Sequence, residues 1–305
     1  MGQIDFEFKR ERKLGEFVQD FINLLKVINR HLVAVLFTLL IIPICLVVLI
    51  GYYLTTQLRF NNAFTDIDYF SVGASFISLA LLVMLISLFA FGFTIEYFII
   101  LRNRKMIDFE AKDVWMQFRV HMGYYLRFFL AMLVVFVLIS IPTALAVLLA
   151  AFIPIVGSFA AGIIFSIIGL WFFTSFMLYR ENYYDLIDCF GSALTLLRKK
   201  ILEYGLASYI VSFIFQALLS IITILPMIII FMISYNFIGF DNDFFSTGWG
   251  RAIATFGSLV VVLLFIIYYM VSVISYGIIY ETAKELKFGE DVFARIERLG
   301  GSDNV

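Results

Sequence analysis

The chain has few charged residues. Asp, Glu, Lys and Arg make up 15% of its 305 residues, whereas 63% are hydrophobic and the mean hydropathy is +1.00. Soluble globular domains carry about 25% charged residues and about 45–50% apolar ones. A water-soluble fold of this length could not bury so much apolar surface, so lipid is the expected solvent for much of the protein.

Residues that bind metals or act as nucleophiles are also scarce. The two histidines are His31 and His121, and the two cysteines are Cys45 and Cys189. They form no CxxC pair, and the chain contains no HExxH, GxSxG or phosphate-binding glycine motif. We therefore predict no metal, no cofactor and no enzymatic activity. The net charge of −1 gives no support for nucleic-acid binding, and the sequence leaves the oligomeric state open.

Long apolar runs dominate the rest of the chain. A helix needs about 20 such residues to cross the hydrocarbon core of a bilayer. Six runs qualify: Leu32–Leu54, Ala74–Leu101, Phe128–Ala150, Ile155–Tyr179, Leu206–Tyr235 and Ala252–Tyr280. We predict an all-α polytopic membrane protein with a single transmembrane domain over residues 1–305. Its parts are a cytoplasmic segment (1–31), a bundle of three hairpins (32–281) and a cytoplasmic tail (282–305).

The positive residues alternate between the two ends of these spans. Of the 22 lysines and arginines, all but Arg59 and Arg251 fall on one side of a six-span arrangement. The positive-inside rule predicts that this side is cytoplasmic, together with both termini. Models with five or seven spans destroy the alternation.

Amphipathic segments precede three of the spans. Apolar residues recur at helical spacing over 14–28, 114–122 and 183–197, and a shorter pattern covers 292–299. Such helices are typical of the membrane interface, so we expect them to lie in its plane. Their candidate contacts with lipid or partners are Lys26, Lys112, Trp115, Arg119 and Arg198. An amphipathic helix followed by a hairpin thus occurs three times, as an internal repeat or by coincidence.

Polar residues within the spans are the candidates for an intramembrane site. Glu96 is an ion site, the partner of a basic residue in another span, or a headgroup contact. Ser212, Gln216 and Ser220 lie on a polar stripe of the fifth span, which lines a groove or bonds to another helix. Pro43, Pro142 and Pro226 either break or merely kink their helices. Gly162, Ser166 and Gly169 indicate close helix packing, within the chain or between copies.

Three stretches resemble a known family. They are 12–26, which contains Leu-Gly-Glu, 181–198, and 280–300, which is the most similar. They resemble bacterial membrane proteins related to the membrane domain of glycerophosphoryl diester phosphodiesterases. In the multidomain relatives a separate soluble domain performs the chemistry. The resemblance therefore implies a stand-alone inner-membrane protein of bacteria, and it transfers no catalytic residue.

These observations leave two functions open. The first is a non-enzymatic scaffold that binds other inner-membrane proteins or engages the lipid bilayer. The second is a transporter or lipid translocase that uses the polar groove along the fifth span. A membrane enzyme is the least supported alternative.

Overall fold

The computed structural model describes residues 4–57, 69–153, 156–233 and 248–289. Within these ranges the chain folds into seven α-helices and one short 3-10 turn, without strands. The helices are α1 (Leu14–Gln57), α2 (Tyr69–Arg104), α3 (Ala111–Ala151), α4 (Val156–Arg180), α5 (Asp188–Leu197), α6 (Ile201–Ile233) and α7 (Gly248–Phe288). Six helical stretches are long and apolar enough to cross a membrane, with α5 and α6 joined in one stretch by the turn. The predicted fold class is confirmed.

The amphipathic segments differ from the separate interfacial helices that we predicted. The first two continue into the following spans without a break, so that α1 has 44 residues and α3 has 41. The apolar face of the first is buried within the protein, where Phe17, Phe21 and Ile28 are at most 3% exposed. The third forms α5, which starts at Asp188 rather than at Tyr183. The segment 292–299 lies outside the described residues.

The helices run through their prolines. Pro43 lies inside α1 and Pro142 inside α3, and α6 covers position 226. The broken-helix alternative is therefore not supported, in keeping with the tolerance of membrane helices for proline. Only residues 152–155 separate α3 from α4, and the Gly157 N–H donates to the Ile153 carbonyl at 2.7 Å. A Cβ at Gly157 would lie 2.3 Å from the Ala150 carbonyl oxygen, so only glycine fits there.

The chain forms two compact units. Unit 1 comprises Met1–Leu32, Thr94–Phe213 and Val271–Val305, and unit 2 comprises Val33–Phe93 and Ile214–Met270. Small residues allow close helix packing within unit 1. A Cβ at Gly162 would lie 2.2 Å from the Tyr209 ring, and one at Gly169 would lie 2.7 Å from the Tyr276 hydroxyl. These two glycines therefore serve packing inside the chain.

Candidate functional site

Glu96 is the centre of a buried ion pair in unit 1. Its side chain is fully buried, and both of its oxygens accept hydrogen bonds from Arg180, at 3.2 and 3.3 Å. The Tyr125 hydroxyl donates a third bond at 3.0 Å, and His121 Nδ1 lies 3.8 Å from the same carboxylate. Of the alternatives for Glu96, the structure supports the partner of a basic residue in another helix. A contact with lipid headgroups is incompatible with its burial.

A second buried cluster surrounds Arg102. Its guanidinium bonds to Glu181 at 2.6 Å and also to Glu281. The other oxygen of Glu181 accepts a bond from Tyr280 at 2.7 Å and pairs with Lys284 at 3.2 Å. The cluster thus joins the end of α2, the residue after α4 and the last turns of α7. Glu281 Oε2 has no hydrogen-bond partner in the described part of the chain.

Electrostatics within this cluster favour the charged form of Glu181. Burial would raise the pKa of this carboxyl. The positive charges of Arg102 and Lys284, together with hydrogen bonds from Tyr280 and Arg102, outweigh burial and hold the pKa below its ordinary value. Glu181 therefore stays ionised at neutral pH, which keeps the cluster intact.

The segment before α1 is also fixed to unit 1. Arg12 is 3% exposed and donates to Asp20 at 2.9 Å and to the Thr282 hydroxyl at 3.5 Å. It also donates to the carbonyls of Phe8 and Glu7. Burial lowers the pKa of Arg12, and its bond and charge interaction with Asp20 oppose that change. Arg12 therefore links the N-terminal segment to α1 and α7.

Most members of these clusters stand at helix ends, so their pairing is not evident from the sequence. Isolated charges at span ends, such as Arg180, Glu181 and Glu281, are usually anchors in the interface. The available signal was the number of acidic residues next to basic ones at one end of the spans. Which acid meets which base depends on the helix packing.

The predicted polar stripe of the fifth span is divided between the two units. Ser212 is 7% exposed and belongs to unit 1, as does Glu96. Gln216 and Ser220 belong to unit 2, where they line a groove between α6 and α7. The groove has a volume of about 220 Å³. Its lining residues are Gln216, Leu219, Ser220, Thr223, Val261, Leu264, Phe265 and Tyr268.

The predicted interfacial contacts are all exposed. Lys26 lies on α1, Arg198 starts the turn after α5, and Lys112, Trp115 and Arg119 lie on α3. On α3 they alternate with exposed Met116 and Val120, while Val114 and Phe118 face the protein interior. We call the exposed residues Lys112, Trp115, Met116, Arg119 and Val120 the α3 face. Their spacing of i, i+3, i+4, i+7 and i+8 places them on one side of the helix.

Comparisons with family models, with curated proteins and with solved structures give no match to this chain. The resemblance to the phosphodiesterase membrane domains stays a prediction. Among the described residues, no group of three or more His, Cys, Asp and Glu side chains is arranged to hold a metal ion.

Proposed function

We propose that this multi-pass membrane protein is a non-enzymatic scaffold of the bacterial inner membrane. Its termini face the cytoplasm, and it binds a partner protein through the α3 face. The observation that carries the proposal is the exposure of large apolar side chains among basic ones on this face. Trp115 is 45% exposed, Met116 57% and Val120 70%.

The first step in the argument concerns the part of α3 that the bilayer can cover. An exposed stripe of apolar residues runs along α3 from Leu130 to the last turn of the helix at Ala151. At 1.5 Å per residue this stripe is about 32 Å long, which matches a hydrocarbon core of about 30 Å. Its other members are Val134, Val137, Ile141, Leu145 and Leu148, each more than half exposed.

The second step concerns the part of α3 that extends beyond the core. Exposed Arg127 precedes the stripe, and Lys112 lies 15 residues before Arg127, or about 22 Å along the axis. Even at a tilt of about 40° the rise would be about 17 Å. The headgroup layer is only about 5–7 Å thick on each side. The α3 face therefore extends into water, where exposed apolar side chains mark a binding surface.

The third step concerns the chemistry of the partner. Lys112 and Arg119 are seven residues apart and flank Met116 on one side of the helix. A helix with an apolar stripe bordered by Asp or Glu would match both the shape and the charge of this face. We therefore expect the partner to present an acidic amphipathic helix.

Photo-crosslinking from single positions in cells tests this proposal. A photoreactive amino acid at Val120 should give a discrete protein adduct, whereas one at Leu145, in the apolar stripe of the same helix, should give lipid adducts. Lipid adducts alone from Val120 would place the α3 face in the headgroup layer and refute the proposal.

Charge reversal tests the same surface independently. Lys112→Glu with Arg119→Glu should reduce the recovery of the Val120 adduct at least tenfold. The matched control, Lys13→Glu with Lys199→Glu, changes two exposed basic residues elsewhere and should leave the adduct unchanged. If both pairs reduce the adduct equally, general attraction to acidic surfaces explains the binding.

Transport or lipid translocation is the second candidate function, favoured by the groove of unit 2. The pairing of Glu96 with Arg180 and Tyr125 weighs against ion coupling, because this carboxylate is already neutralised. In proteoliposomes a translocase would accelerate the flipping of fluorescent phospholipids, and Gln216→Leu would abolish the acceleration. A rate equal to that of protein-free vesicles would exclude this function.

A further inference from the structure

We propose that the groove between α6 and α7 in unit 2 binds an uncharged membrane amphiphile, with a carbonyl or hydroxyl group of the ligand against Gln216. This inference rests on the groove alone and is independent of partner binding at the α3 face. It requires a bound lipid but no movement of lipid across the bilayer.

The two walls of the groove differ in chemistry. Gln216, Ser220 and Thr223 of α6 follow one another at spacings of four and three residues, so their polar groups form one stripe. Val261, Leu264 and Phe265 of α7 supply most of the opposite wall, which also contains Tyr268. A molecule that occupies the groove therefore meets hydrogen-bonding groups along α6 and a mainly apolar surface along α7.

Gln216 is the residue that requires a ligand. Its side chain is exposed in the middle of a membrane-spanning helix, and its amide bonds to no other residue in the described part of the chain. The bilayer core contains no water to satisfy such an amide, so leaving it without a partner is unfavourable. Thr223 differs, because its hydroxyl donates to the Leu219 carbonyl at 2.9 Å. A carbonyl or hydroxyl of a bound amphiphile would satisfy Gln216.

The size and charge of the groove define the ligand class. Its volume of about 220 Å³ is below the range of about 300–1,000 Å³ for pockets that hold drug-sized molecules. A helix of about 10 Å diameter does not fit, whereas an acyl chain or a single ring does. None of the residues that line the groove is charged, so its walls offer no counter-ion for a charged headgroup. The ligand is thus uncharged where it contacts the protein.

Labelling with a photoreactive diacylglycerol that carries a diazirine in one acyl chain tests this inference. In nanodiscs of phosphatidylcholine, the adduct of the whole protein should map to α6 and α7 of unit 2. An excess of unlabelled diacylglycerol should compete with it. Gln216→Leu should weaken labelling about three- to tenfold, the effect expected when one hydrogen bond in a membrane is lost. Ser220→Phe should block labelling by filling the groove while leaving the Gln216 amide in place.

The control is Ser78→Ala, which removes an exposed hydroxyl from α2 that donates to the Ala74 carbonyl. It should leave labelling unchanged. Equal labelling of the wild-type protein, Gln216→Leu and Ser220→Phe would overturn the inference, as would adducts that map outside α6 and α7. A change in Gln216→Leu from dimer to monomer by native mass spectrometry would also overturn it, since the amide would then pair with a second copy of the chain.

Discussion

The two compact units of this protein differ in where their charges lie. All described ion pairs belong to unit 1, whereas the side chains described for unit 2 include no charged group. Tightly packed glycines are also found in unit 1, where a Cβ at Gly162, Gly169 or Gly205 would collide with a neighbouring side chain, although one at Gly15, Gly123 or Gly191 would meet nothing. In unit 2 a Cβ at Gly51, Gly73 or Gly257 would meet nothing within 4 Å.

This difference indicates that the units hold their helices together by different means. Unit 1 combines close helix contacts with buried ion pairs. Substitution of one partner in such a pair is strongly destabilising, because the other charge stays buried without a counter-charge. Unit 2 relies on apolar contacts, which lipid can replace at little cost, since lipid tails are as apolar as leucine. We therefore expect substitutions in unit 1 to change stability, and substitutions in unit 2 to change ligand binding.

Arg102→Met should give the largest effect. It leaves Glu181 and Glu281 buried without their shared cation, and we expect a loss of about 3–5 kcal/mol in the free energy of unfolding. The control Arg104→Met removes a half-exposed residue that lies 3.7 Å from Asp108, and it should cost less than about 1 kcal/mol. Thermal unfolding in detergent measures both. Equal effects would mean that the Arg102 cluster is not needed for stability.

Glu96→Gln compared with Gln216→Leu tests the contrast between the units directly. Glu96→Gln removes the charge that pairs with Arg180 and should cost about 1.5–3 kcal/mol and lower the amount of protein in the membrane. Gln216→Leu removes an exposed amide from a span and should leave stability unchanged or raise it slightly. Normal stability of Glu96→Gln would indicate that the pair serves function rather than folding.

Gly162→Ala compared with Gly257→Ala applies the same test to packing. The added methyl at residue 162 would lie 2.2 Å from the Tyr209 ring, and overpacking of this kind costs about 1–3 kcal/mol. The methyl at residue 257 has open space around it and should be neutral or stabilising, because alanine favours helix over glycine. Melting temperatures of the two variants decide between these outcomes.

Acidification should produce the smallest effect. The pKa of Glu181 in the folded protein lies below the ordinary value of 4.5, so the stability contributed by this residue is fully present above about pH 4.5. It is lost as the pH falls through the lower pKa of the folded state. The melting temperature of the wild-type protein should therefore fall more steeply below pH 4.5 than that of Glu181→Gln. Parallel slopes of melting temperature against pH for the two proteins would contradict the conclusion that Glu181 is ionised in the folded protein.

Much of the fold was predictable from hydropathy, because each span must contain enough apolar residues to cross the bilayer. The six spans follow from this requirement. The continuity of α1 and α3 did not follow. An amphipathic pattern such as 14–28 reports which face is apolar, but that face can cover lipid or protein. Here Phe21 and Ile28 are buried in unit 1.

For the candidate sites, too, the sequence indicates which residues are unusual but not what they pack against. The stripe containing Gln216 and Ser220 was visible in the sequence, because polar residues are rare in a span. The division of that stripe between two units was not, since it depends on which helices pack beside α6.

The sequence by itself therefore determined that the protein is helical and that six of its stretches are long and apolar enough to cross a membrane. The hydrophobic effect depends on composition and on the spacing of apolar residues along the chain. Both can be read from the sequence. Only the tertiary structure decided that Glu96 pairs with Arg180, that Arg102 is shared by two carboxylates and that Gln216 lines a groove. Such contacts join residues far apart in the chain, and they form only when the packing of the helices brings the residues within hydrogen-bonding distance.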